Sequence, residues 1–149
     1  MFILTLWSCA DALVVGDGKR GAPDSGGEDT AREAPVAPVA GEYAGTLTAQ
    51  VTVNGRVGSC EGEATLTVAA DASFSGTAGC TSDLIDPLEG PLSGNAVGGD
   101  VSGTWAVVYA DTEFTQILAG STTASSIELS SQFEGEEVRV ISTMLLNKL

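Results

Sequence analysis

Tyr43-Ala44-Gly45-Thr46-Leu47-Thr48-Ala49-Gln50-Val51-Thr52-Val53-Asn54-Gly55 is the stretch on which the fold turns. Tyr43, Leu47, Ala49, Val51 and Val53 alternate with Thr46, Thr48, Gln50 and Thr52, a period of two that turns one face to a core and the other to water. Asn54-Gly55 supplies the left-handed positions of a tight hairpin turn, so the chain is expected to double back. The returning stretch repeats the rhythm, with Cys60, Ala64, Leu66 and Val68 opposed to Glu61, Glu63, Thr65 and Thr67. After a turn near Ala70-Asp71, Phe74, Ala78 and Cys80 alternate with Ser73, Ser75, Thr77 and Gly79.

A three-residue loop at Ala69, Ala70 and Asp71 sets Cys60 directly opposite Cys80 on the packed face. At that separation a disulfide can form with small adjustment. A redox-active pair would need a Cys-x-x-Cys spacing, which these residues lack.

Farther on, Val101, Trp105, Val107 and Tyr109 share a face opposite Ser102, Thr104 and Ala106, and segments 113–119, 126–134 and 137–147 complete the set. Asp86-Pro87, Glu89-Gly90-Pro91 and Gly98-Gly99-Asp100 punctuate the middle. A strand between Leu84 and Leu92 is expected to be an exposed edge or bulged, because Pro91 has no amide hydrogen to donate. The expected architecture of residues 41–149 is all-β, a single antiparallel meander of about eight strands closing as an up-and-down barrel or a two-sheet sandwich. Gly45, Gly62, Gly76 and Gly103 fall at inward positions, so the core is expected to be thin.

The chain opens on Met1-Phe2-Ile3-Leu4-Thr5-Leu6-Trp7-Ser8-Cys9, an apolar run that stops at a small residue and a cysteine. It is too short to span a bilayer, which takes about 20 apolar residues, but it has the anatomy of an export signal. Leu6-Trp7-Ser8-Cys9 resembles the lipobox of bacterial lipoprotein precursors. That resemblance implies a signal over residues 1–8, lipidation of Cys9, and a membrane partner reached through acyl chains in the bacterial cell envelope. Cleavage near Ala10-Asp11-Ala12 would instead give a secreted or periplasmic protein. With Cys9 lipidated, the three cysteines leave Cys60 and Cys80 as a pair, a bond that an exported protein can keep.

Residues 9–40 are acidic and rich in Gly, Pro and Ser, with little to bury. They are expected to form a disordered tether spanning roughly 30 Å. The whole chain carries 6 Lys and Arg against 20 Asp and Glu, a formal charge of −14. Its cations are scattered, so no basic groove can displace phosphate counterions and no nucleic-acid partner is expected.

The chain has no histidine. Serine-histidine and cysteine-histidine nucleophiles are therefore unavailable, as are histidine-bearing zinc sites. No catalytic residues, metal ligands or cofactor are expected, and the reading is non-enzymatic: a structural or protein-interaction module with a possible envelope partner. Gly41-Glu42-Tyr43 is similar to the Gly-x-Trp that opens lipocalin and avidin barrels, and Ile141–Leu146 resembles a late avidin strand. This resemblance implies the alternative, a calycin-like barrel binding a small apolar ligand in a cavity lined by Trp105 and Tyr109.

Overall fold

The computed structural model describes residues 36–149. The signal-like start, Cys9 and most of the linker lie outside the described residues. Eight antiparallel strands follow in order: β1 (Gly41–Val53), β2 (Arg56–Val68), β3 (Ser73–Thr81), β4 (Leu88–Val97), β5 (Asp100–Tyr109), β6 (Thr112–Thr122), β7 (Ser126–Glu134) and β8 (Val138–Lys148). Each strand pairs with its neighbour in sequence, and β1 also pairs with β8 from Tyr43↔Lys148 to Val53↔Val138, so the meander closes as a barrel.

Closure removes the edge that Pro91 led us to expect, since β4 is held between β3 and β5. The proline acts only locally. The β4–β5 ladder skips from Glu89↔Val108 to Leu92↔Trp105, and there the Trp105 indole N–H donates to the Gly90 carbonyl at 3.1 Å.

The hairpins explain the order. Asn54 and Gly55 (φ 48° and 78°) and Gly98 and Gly99 (φ 64° and 94°) form two-residue turns with both residues left-handed, whose twist matches that of the strands they join. Ala110 and Asp111 take the same conformation (φ 47° and 61°) without a glycine, which is why composition does not mark this turn.

The β2–β3 loop corrects the expected register. Its closing bond runs from the Ala69 amide to the Ser73 carbonyl (2.8 Å), so the loop is Ala70-Asp71-Ala72, one residue later than expected. Ala72 takes the left-handed position (φ 64°) that a glycine usually marks. Asp71 fixes the loop by accepting from the Ser73 hydroxyl (2.6 Å) and amide (3.0 Å). The Ser73 hydroxyl, followed by its amide, holds the Asp71 carboxyl below its ordinary range. The register moves by two residues, so every side chain keeps its face. Cys80 sits opposite Gly62 rather than Cys60, and the disulfide joining Cys60 to Cys80 runs diagonally, with Cα atoms 5.5 Å apart. A Cβ on Gly62 would lie 2.6 Å from the Cys80 Cα, so this glycine leaves the room that the diagonal needs.

Strand stagger sets the bore. Carried across successive pairs, the level of Gly45 passes Ala64, Ala78, Gly90, Val107 and Phe114 and reaches Val138, whereas Gly45 pairs directly with Leu146, eight residues farther along β8. Eight strands with a stagger of eight is the geometry of a TIM-barrel core, with strands tilted about 36° and an interior that side chains can fill. They fill it here: Trp105, Tyr43, Leu47, Leu66, Leu88, Leu92 and Met144 are all buried in one cluster. Outward positions carry mostly Thr, Ser, Glu and Gln, as on β1 and β2. A membrane-spanning barrel carries an apolar band on that face.

So narrow a barrel demands sharply coiled strands, and inward glycines supply the coil. At Gly45 a Cβ would lie 1.8 Å from the Leu145 carbonyl oxygen, and at Gly90 1.7 Å from that of Ala106. The neighbouring backbone occupies the space that a side chain would need.

Candidate functional site

The two ends of the barrel differ. Where β1 begins, the incoming chain is tied down. The Val36 amide donates to the Thr122 carbonyl at 3.1 Å, the Thr122 hydroxyl donates to the Val36 carbonyl at 2.5 Å, and the Tyr43 hydroxyl donates to the Val39 carbonyl at 2.7 Å. Burial pushes the Tyr43 pKa up, partly offset by that hydrogen bond.

A raised folded value means that the stability contributed by Tyr43 is fully present below the unfolded tyrosine pKa of about 10 and is lost as pH rises through the folded one. Tyr43→Phe is expected to cost about 1 kcal/mol at pH 8, because the Val39 carbonyl loses its donor. It should also reduce the alkaline loss of stability. Urea unfolding at pH 8 and pH 10.5 checks both, and an unchanged alkaline slope would contradict the assignment.

The opposite end, the mouth, holds a groove of about 480 Å³ lined by Val53, Arg56, Val57, Leu84, Ile85 and Tyr109, with Asn54 and Gly58 between them. Three parts build it: the end of the β1–β2 hairpin from Val53 to Gly58, the loop between β3 and β4, and the end of β5. Ile85 leans over Gly58, where a Cβ would come within 2.4 Å of the Ile85 Cγ2. Leu84 is 80% exposed and Val57 61% exposed, so the groove offers unsatisfied apolar wall. On the other side of the mouth Phe114 and Phe133 pack with ring centroids 4.6 Å apart.

Inside the barrel is a small polar cluster that the sequence reading missed. Gln116 and Ser142 are each 1% exposed, and Ser131 is also buried. The Ser131 hydroxyl donates to Gln116 Oε1 and lies 2.5 Å from the Ser142 hydroxyl. Among the described residues Gln116 Nε2 has no hydrogen-bond partner. Each of the three alternates in step with buried apolar residues along its strand. Their inward parity could therefore have been found from the sequence.

The structure separates Trp105 from Tyr109. Trp105 is wholly buried in the filled interior, whereas Tyr109, four residues on and on the same face, lines the mouth groove. Arg56, Val57, Leu84 and Ile85 carried no sequence signal, because they meet only through turn geometry. Cys9 lies outside the described residues. Among the described residues no three His, Cys, Asp or Glu side chains are placed to hold a metal ion.

Fold and site together define a small, filled, disulfide-bonded meander barrel with a groove at its mouth. A disulfide-bonded barrel of this kind fits an extracellular or periplasmic location. Comparison with protein-family models finds no matching family, and comparison with curated proteins finds no significant match.

Proposed function

We propose that the chain is an exported bacterial lipoprotein, anchored through acyl chains on Cys9, whose barrel is a non-enzymatic structural or protein-interaction module in the cell envelope. The observation that carries this reading is the pairing of Cys60 with Cys80, which leaves Cys9 as the one remaining cysteine at the end of its lipobox-like run. A polar outer face supports a barrel that stands in water.

The ties to Val36 and Val39 bring the linker in at the end away from the mouth. Two or three acyl chains hold firmly where one holds marginally. Cys9→Ser is expected to leave the barrel folded, by circular dichroism, and to move it from the membrane fraction to the soluble fraction. Equal membrane retention of the variant would overturn the anchor.

A further inference from the structure

The geometry points to the mouth groove as a binding site for a small anionic amphiphile, a single carboxylate on an aliphatic or aromatic body. This assignment does not depend on the anchor. Val53, Val57, Leu84 and Ile85 supply apolar wall, and Tyr109 adds a ring with a polar tip. The volume of about 480 Å³ lies in the range of small-molecule sites.

Charge selects the head group. In a chain of net charge −14, the groove is lined by a guanidinium and by no carboxylate. Among the described residues no carboxylate pairs with Arg56. Asp83 and Asp86 flank Leu84 and Ile85 in the same loop, yet neither lines the groove. A guanidinium presents a planar fork of donors that matches a carboxylate in two parallel hydrogen bonds. Beside an apolar wall, that fork orients an amphiphile with its head at Arg56 and its body toward Ile85. Nearby acids, Asp83 and Asp86 among them, repel any anion, so the preference for a carboxylate rests on the paired contact at Arg56, which forms at hydrogen-bond range.

The filled interior places this ligand at the mouth and not around Trp105. The site therefore differs from the central cavity that the calycin resemblance implies.

The test is titration of the full chain with decanoate, decyltrimethylammonium and 1-decanol, each below its micelle concentration, followed by amide chemical shifts. Decanoate is expected to bind saturably and to shift Gly58, Ile85 and Tyr109. Arg56→Gln should weaken it roughly tenfold and leave 1-decanol unchanged. Leu84→Ser should weaken both. Both positions are exposed, so neither substitution threatens the fold. The proposal is overturned if none of the three binds, if the ammonium binds as tightly as the carboxylate, if Arg56→Gln leaves decanoate unaffected, or if the shifts centre on Trp105 and Leu66.

Discussion

Replacing Cys60 and Cys80 together by alanine is expected to lower the stability of the barrel by about 3 kcal/mol. The bridge joins positions 20 residues apart, and in the chain-entropy account closing a loop of that length removes about this much freedom from the unfolded chain. Both cysteines are buried, so the variant also loses some packing. Against a total of about 5–15 kcal/mol for a domain, the loss is large, and it should lower Tm by roughly 10–20 °C. Urea unfolding with and without reductant reads it directly. The native protein under reductant should approach the variant, while the variant itself should ignore reductant. Equal stability of the native protein in both conditions would contradict the assigned role.

A comparable loss is expected from a single methyl group at the coiled strands. Gly45→Ala places a Cβ where the Leu145 carbonyl lies, across the β1–β8 pairing that closes the barrel. Gly90→Ala does the same against Ala106. No rotamer change relieves either clash, because both partners are backbone, so each variant should lose at least about 3 kcal/mol. Gly79 is the control. It faces outward, and its added Cβ would meet the Glu89 side chain at 3.2 Å and the Leu88 carbonyl at 3.3 Å. Gly79→Ala should therefore stay within about 1 kcal/mol of the native protein. If all three variants unfolded at the same urea concentration, inward glycines would not be what lets the strands coil.

These glycines also mark how far sequence reading reached. The period of two at Tyr43–Val53 and Cys60–Val68, with Asn54-Gly55 between them, was enough to place a hairpin and the faces of both strands, because each signal is local. Inward parity also put Gly45, Gly62, Gly76 and Gly103 on the core side. It did not say that their absent side chains make room for neighbouring backbone, since that depends on stagger summed around eight strands. The choice of barrel over sandwich rests on the same sum, completed only where β1 meets β8.

The register error at the second hairpin had a local cause. Ala72 holds a left-handed position without the glycine that usually announces it, so the sequence points to a loop one residue early. The disulfide pairing was nevertheless legible, because a two-residue shift preserves parity and a diagonal also brings the cysteines together. The mouth groove was not legible. Arg56 is the first residue of β2 and Ile85 lies in a loop without periodicity, and only their fold in space makes them neighbours.

The division of the three cysteines is the centre of this account, and the intact mass of protein taken from the membrane fraction, alkylated without reductant, tests it most directly. The expected species begins at Cys9, carries acyl mass and takes up no alkylating agent, then gains two alkyl groups after reduction, at Cys60 and Cys80. A species without acyl mass, or one alkylated before reduction, would contradict it.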